Sequence, residues 1–375
     1  MGPVSIVPVL TKRELTEFID YPYRKYKDDE VWVAPLRIGE FEKFDPAKNP
    51  YWDHADRKLF LARAGDSGSG KIVGRIAFID DHAHNQEHDE NTAFFGFFEA
   101  EDEAVARTLL GAVESEARTT GRSAVRGPLN PSMNDGSGFQ IDAFDEKPFV
   151  MMPQNPAAYP VWVEGAGYQK VKDLFTFYFD NRREIEPRLE RIAQRTYKRN
   201  DLVVRPADLK QFDREVKILK HLHTTAWEKN WGNVPYSDAE MDHLASEMKM
   251  ILNPELAIFA EIGGEPIGMA VALPDINQVF SRFNGRLLPV GIFHLLRRKQ
   301  IINRARLVML GVLPQYRNRG LEMLLIYEIV KRAAANGIVE GECGWTLENN
   351  HSINSAIEAA GGVRNKTYRL FQKEV

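Results

Sequence analysis

The stretch Leu307–Gly337, LVMLGVLPQYRNRGLEMLLIYEIVKRAAANG, decides the fold, because a strand, a basic turn and a helix follow one another in it without a gap. Val308 to Leu313 is an apolar run of strand length, and Pro314 ends it, since a central strand has no use for a residue lacking an N–H. Leu324, Leu325, Ile329, Val330 and Ala333 to Ala335 repeat at helical spacing from about Leu321, and Asn336-Gly337 is a C-terminal stop. Between strand and helix stand Arg317, Asn318, Arg319 and Gly320. The unpaired N–H groups of a first helical turn and two guanidinium groups then face one small volume, which suits a pyrophosphate. Taken alone, an RxRG turn is equally an ordinary solvated connection.

The residues that follow weigh against that plainer reading. Val339 to Leu347 reads as another strand, Glu348-Asn349-Asn350 as a turn, His351 to Ala360 as a short helix, and Lys366 to Gln372 as a last strand after Gly361-Gly362. Here the chain resembles the GNAT superfamily of acyl-CoA-dependent N-acyltransferases, whose acyl-CoA loop reads (R/Q)-x-x-G-x-(G/A) after such a strand. The match is Arg317-Asn318-Arg319-Gly320-Leu321-Glu322. Glu322 departs from it, and a carboxylate beside a pyrophosphate repels it unless the side chain turns to solvent.

The same order of elements occurs earlier in the chain. Val4 to Leu10 is strand-like, and Thr11 with Glu14 forms a capping-box pattern that opens a helix to about Lys27. Leu202 to Pro206 followed by Phe212 to Trp227 repeats it. Leu59–Ala64 and Ile72–Ile79 form a hairpin around Gly65 to Gly70, as Leu256–Ile262 and Pro266–Leu273 do around Gly263-Gly264. Thr92–Phe98 and Glu103–Thr120 then match the strand and helix of the basic turn. Two tandem GNAT-like units follow from this, an α/β (α+β) architecture in which each unit is a mixed, mostly antiparallel sheet flanked by helices. The expected bounds are 1–180 and 201–375, with the charged segment 181–200 as a linking surface helix. At the first unit's turn stand Glu99, Glu101, Asp102 and Glu103 with no arginine or glycine, so that unit is expected not to bind CoA in the usual way.

Asn49-Pro50-Tyr51-Trp52, Gly127 to Asp135 and Met152 to Pro156 extend the resemblance to a bacterial family of tandem GNAT proteins over nearly the whole chain. It implies acetyl-CoA or a longer acyl-CoA as co-substrate, an amine acceptor, and an active site in the second unit facing the cleft with the first. Backbone N–H groups near Leu310, Val312 and Leu313 are expected to receive the thioester carbonyl. Glu348 is the candidate base and Glu228 the second. The family's tyrosine on the short last helix falls at Ile357, so Tyr368 or a water would replace it as the acid. Asn354 either holds the pantetheine arm or caps its helix. Trp227 and Trp231 either pack in the core or line an apolar acceptor slot. Asn130, Asn134 and Asp135, in a Pro- and Asn-rich turn, either structure a loop or touch the acceptor.

Composition narrows the function classes. With 375 residues, 43% hydrophobic and 27% charged, the chain is of ordinary globular character and long enough for two domains. Its net charge of −4 argues against a dedicated nucleic-acid binder, and a single cysteine, Cys343, excludes a disulfide framework and a cysteine metal site. The absence of a signal-like N-terminus and of a long apolar run points to the cytoplasm. The spacing of His82, His84 and His88 fits either a zinc site or a solvated loop, and no metal is expected. Gln278 to Arg306, basic and acid-free around the apolar run Leu287 to Leu296, reads as an amphipathic helix packed on its own domain, a lid, or a surface for transient membrane contact. No Walker, Rossmann, Nudix or serine-nucleophile signature competes. The rivals to a general acyl-CoA N-acyltransferase are a long-chain enzyme acting on a lipid-like amine, an aminoacyl-tRNA-dependent transferase, and a non-catalytic binder.

Overall fold

The computed structural model describes residues 3–65, 68–199 and 202–375, so the middle of the first hairpin turn, Asp66-Ser67, and the junction Asn200-Asp201 lie outside the described residues. The chain divides into two units: residues 1–173, 283–289 and 367–375 form the first, and 174–282 with 290–366 the second.

In the first unit the elements run β1 (Val4–Pro8), α1 (Lys12–Lys25), α2 (Arg37–Lys43), β2 (Ala55–Ala64), β3 (Ile72–Asp81), α3 (His82–His88), β4 (Thr92–Ala100), α4 (Glu103–Thr119) and β5 (Ala124–Gly127). Three short strands, β6 (Leu129–Asn130), β7 (Gly136–Ser137) and β8 (Phe139–Gln140), and helix α5 (Ala158–Gly165) follow. The capping box is present as read: Glu14 N–H donates to Thr11 Oγ1 and Thr11 N–H to the Glu14 carboxylate. Strands β1 to β5 pair in chain order, antiparallel until the parallel pair β4–β5. The residues from Phe371 to Glu374, at the end of the long last strand β15 (Val363–Glu374), complete this sheet antiparallel to β5. The core lies between sheet and α4, where Val105, Leu109, Leu110 and Val113 meet Ile76, Phe78 and Phe95.

The second unit begins within strand β9 (Gln169–Asp180) and continues through α6 (Pro187–Arg199), β10 (Leu202–Pro206), α7 (Phe212–Trp227), α8 (Asp238–Lys249), β11 (Ala257–Ile262) and β12 (Glu265–Pro274). Short helices α9 (Asn277–Phe280), α10 (Ile292–Leu296) and α11 (Arg298–Ile301) precede β13 (Arg304–Val312), α12 (Leu321–Ala335), β14 (Glu340–Leu347) and α13 (His351–Ala359). Its strands pair in the order β10-β11-β12-β13-β14-β9, antiparallel except for β13–β14. Strand β9 thus crosses the division between the units, its residues from Leu174 onward pairing with β14 in the second. Helix α12 buries Leu321, Leu324, Leu325 and Ile329 in the core. Each such side chain is worth roughly 1.5–3 kcal/mol over exposure.

Three segments differ from the sequence reading. The charged segment expected as a linker contains α6, which buries Leu189, Ala193 and Thr196 in the second unit, because its few apolar residues recur on one face. The His82–His88 stretch is a helix rather than a loop, capped by Asp81, whose side chain accepts from His84 N–H. The acid-free insertion holds no long amphipathic helix, and its last two arginines belong to β13.

Candidate functional site

Strands β13 and β14 pair in parallel only from Arg304–Glu340 to Leu307–Cys343, although β13 continues to Val312 and β14 to Leu347. Beyond Leu307 the two strands therefore separate, and β13 keeps only its antiparallel partner β12. Leu313 N–H donates to Ile267 O at 2.9 Å, on the β12 side. Alternation along a strand then turns the N–H groups of Leu310 and Val312 to the opposite side, into the gap. Of the three expected carbonyl donors, Leu313 is excluded because its N–H is already used.

Below the gap Pro314–Tyr316 makes a single 3₁₀ turn and Gly320 starts α12 at φ +86°. No side chain caps the helix, so its first N–H groups point outward without a partner from the cap residue. A Cβ at Gly320 would lie 2.8 Å from Thr196 Oγ1 of α6, which together with the positive φ explains why glycine stands there. The two arginines differ. Arg317 does not aim at this volume: its Nε donates to Val312 O at 3.1 Å and its Nη2 to Ala226 O at 2.6 Å, tying the end of β13 to the end of α7. Arg319 is exposed and lies over the Tyr316 ring, 5.4 Å from its centroid. Asn318 is exposed at φ 60°, and Glu322 is half-buried in the first turn.

The wall over β13 comes from α7. A Cβ at Gly311 would meet Trp227 Cζ3 at 2.3 Å, so the indole lies directly on the strand backbone. His223, one turn earlier on α7, stacks on Trp227 at 4.6 Å and 11°, with Tyr236 at 5.2 Å on a tilted plane. Its Nδ1 is buried without a hydrogen-bond partner, and burial pushes the imidazole down to about 4. Glu228, the residue after Trp227, is exposed, and Trp231 is half-buried in the turn beyond. On β14 the half-buried Glu348 follows the last strand residue. Asn354 neither caps α13 nor opens to the gap. Asn350 is the cap, while Asn354 accepts from Thr346 Oγ1 at 2.5 Å and donates to Leu347 O at 3.0 Å, pinning α13 to β14. Ile357 is fully buried core.

Where β13 and β14 still pair, Arg306 and Glu342 face each other in register, and Arg306 Nη2 donates to Gly344 O at 2.6 Å. Glu342 is wholly buried. Burial raises its carboxyl above the usual range, against the lowering pull of Lys366 and Arg306. Arg304 pairs with the buried Asp275. Neither arginine is free to serve a basic surface, which corrects their assignment to the insertion. Cys343 is buried and its thiol is pushed up to about 12.

The remaining candidates lie in the first unit. Tyr368 is buried in β15 opposite Gln140. Asn130 Oδ1 accepts from Phe97 N–H at 2.5 Å, Asn134 N–H donates to Ser132 Oγ, and Ser132 Oγ–H donates to Asp135 at 2.6 Å. Strands β4 and β5 also separate, after Phe94 and Arg126, but there β6 fills the space: a Cβ at Gly96 would lie 1.7 Å from Leu129 O. Helix α4 is capped by Asp102, which accepts from Val105 N–H, and Glu99 is buried against the hydroxyls of Tyr26 and Tyr159. His82 contacts Asp56 at 2.8 Å. His84 and Arg126 reach Glu90, whose carboxyl is held down to about 2, first by His84 and then by Arg126. Among the described residues no group of three or more His, Cys, Asp or Glu is arranged to hold a metal ion.

The family model of the GNAT acetyltransferases matches residues 216–356, which span α7 to α13. The chain is 35% identical over 381 residues to the bacterial ceramide synthase of Caulobacter vibrioides (strain NA1000 / CB15N), covering 99% of this chain and 97% of that protein. The chain belongs to the GNAT family. Protein YghO of Escherichia coli (strain K12) is 31% identical, with 98% of this chain and 94% of that one aligned. A tandem GNAT protein from the clavulanic acid biosynthesis pathway superposes with a TM-score of 0.56 at 12% identity, covering 99% and 98% of the two chains, and so shares the fold. Membership of this family, together with a relative named ceramide synthase, supports N-acyltransferase activity. His223, Gly311, Arg306 and Glu342 were not found from the sequence. The signals were an H-x-x-x-W spacing that sets two rings on one face of α7, and a glutamate, Glu342, beside the single cysteine in the interior of a strand.

Proposed function

We propose that the protein transfers an acyl group from acyl-CoA to the amine of a long-chain, sphingoid-type acceptor, with the chemistry in the second unit. The observation that carries acyl-CoA use is the separation of β13 from β14 beyond Leu307 and Cys343 directly above the uncapped, glycine-started α12. The cradle fits a pyrophosphate, since glycine leaves the N–H groups accessible and Arg319 stands exposed beside them. Bound acyl-CoA supplies an activated thioester carbonyl. Leu310 and Val312 N–H stabilise the charge that develops on its oxygen, Glu348 takes the amine proton directly or through water, and the wall of Trp227 and His223 positions the acceptor. The N–C bond forms as the C–S bond breaks, and the departing thiolate takes up a proton. The first unit takes no CoA, its equivalent cradle and gap being filled by Asp102 and by β6.

The long-chain acceptor rests on the 35% identity to a protein named ceramide synthase, since a ceramide is an N-acylated sphingoid base. The apolar ring wall of Trp227, His223 and Tyr236 is compatible with it. A thiol-release assay with acetyl-, octanoyl- and palmitoyl-CoA, each against sphinganine and against small polar amines, tests both parts. Release only with sphinganine and a longer acyl chain is expected. Turnover of acetyl-CoA with polar amines alone overturns the acceptor, and binding of charged tRNA without any CoA binding overturns the acyl-CoA reading.

A further inference from the structure

We infer that α10 and the basic turn after it form a docking surface for an anionic lipid bilayer. Phe293 is 65% exposed and Leu296 70% exposed, three residues apart and so on one face of α10. Leu288, five residues upstream, is also exposed. Large apolar side chains left in water at this spacing need an apolar partner. Arg297, Arg298 and Lys299 follow at once, Arg297 and Lys299 exposed, while Arg298 reaches back to Leu295 O at 3.3 Å. No Asp or Glu occurs from Gln278 to Arg306, and among the described residues no carboxylate forms an ion pair with these three cations. The chain as a whole carries −4, whereas this segment carries cations and no carboxylate.

The chemistry selects a membrane over a protein partner. Two or three apolar side chains cannot make the roughly 1,000 Å² that a specific protein interface needs, whereas insertion of an aromatic and a leucine beside unpaired cations is how short segments hold an anionic headgroup layer. The segment is firmly based. Gln278 Oε1 accepts from the N–H groups of both Asn303 and Arg304, closing the excursion at the start of β13. That is the end of β13 remote from the cradle, about 26 Å away along a nine-residue strand. The segment therefore leaves and rejoins the sheet at the end of β13 remote from the cradle.

The inference does not depend on the acceptor, because it is tested without substrate. Co-sedimentation of the full chain with phosphatidylglycerol/phosphatidylcholine vesicles is compared with pure phosphatidylcholine vesicles, at low and at physiological salt. Binding to the anionic vesicles, weakened by salt and absent from neutral ones, is expected. Phe293→Ser with Leu296→Ser, and separately Arg297→Glu with Lys299→Glu, should each lower it ten-fold or more, with circular dichroism and thermal unfolding unchanged. No vesicle binding, equal binding to both lipids, or variants that bind like the wild type overturn it. Concentration-dependent self-association that the serine variant abolishes, without vesicle binding, overturns it in favour of a second copy of the chain.

Discussion

Replacing His223 with phenylalanine should remove an acid-sensitive part of the protein's stability. The ring is buried against Trp227 and Tyr236, its Nδ1 has no hydrogen-bond partner, and burial alone holds the imidazole near 4 instead of 6.5. The folded state therefore keeps this group neutral, while the unfolded chain takes up a proton below 6.5. Stability from His223 is fully present above 6.5 and is lost as pH falls toward 4. A pKa difference of about 2.5, at about 1.4 kcal/mol per pH unit, sets a limit of about 3 kcal/mol, of which about 2.5 kcal/mol is gone by pH 4.5. His223→Phe keeps the stacked ring and removes the proton site. Urea unfolding of both proteins at pH 7 and pH 4.5 measures the difference between them, in which every other titrating group cancels. The wild type should lose about 2.5 kcal/mol relative to the variant between the two pH values. Curves that stay parallel to within about 0.5 kcal/mol would mean that the imidazole finds a proton acceptor in the fold, and the neutral-ring reading of the wall fails.

Arg319→Ala should weaken acyl-CoA binding about ten-fold by calorimetry with unfolding unchanged, as expected for one exposed charge-assisted phosphate contact. Arg317→Ala should instead lower the thermal midpoint, because two backbone carbonyls lose their donor; the reverse pattern refutes the division of labour. Gly311→Ala should cost about 1–3 kcal/mol and raise KM for the acceptor more than for acyl-CoA, since the new methyl displaces the Trp227 ring. Unaltered acceptor kinetics would remove that ring from the site. Glu348→Gln should lower kcat on the order of 10²-fold or more and erase the acid limb of the pH–rate profile, with acyl-CoA affinity kept. A full-rate variant transfers the role to Glu228 or to water.

The strand-turn-helix of the second unit was legible because each signal in it is local. An apolar run, a proline stop, a glycine and a helical repeat fix the end of β13 and all of α12 wherever the rest of the chain goes: α12 at Leu321–Ala335 follows the reading closely, while β13 at Arg304–Val312 begins four residues before the apolar run. What was not legible depends on partners distant in sequence. Nothing near Arg317 says that its guanidinium will be taken by carbonyls of β13 and α7, 5 and 91 residues away. Arg306 looked like one more cation of a basic insertion because Glu342, 36 positions later, is set opposite it only by the parallel register. Likewise, Asn354 and Asn350 are alike in composition, and only the helix start decides which of them caps. The histidine stretch misled for the opposite reason: polar composition outvoted the single residue, Asp81, that starts a helix there.

The two units show how one arrangement of strand, turn and helix can be opened or closed to an anion by a few residues. In the second, glycine at the helix start leaves the first N–H groups of α12 uncapped, and the diverging strands leave the Leu310 and Val312 donors facing a gap. In the first, Asp102 places a carboxylate on the start of α4, and Asn130 places a side-chain carbonyl on Phe97 N–H within the equivalent gap. Two donors there, Phe97 N–H and Val105 N–H, already have acceptors supplied by the chain, covalently tethered and so present at high effective concentration. Displacing them would leave Asp102 beside a pyrophosphate, with Glu101 and Glu103 on either side of it in sequence, and like charges at such range repel by on the order of 1 kcal/mol per pair. The first unit thus keeps the order of strand, turn and helix while its own oxygen atoms accept from Phe97 N–H and from the first turn of α4, and under the proposed function it would act as scaffold to the second unit's chemistry.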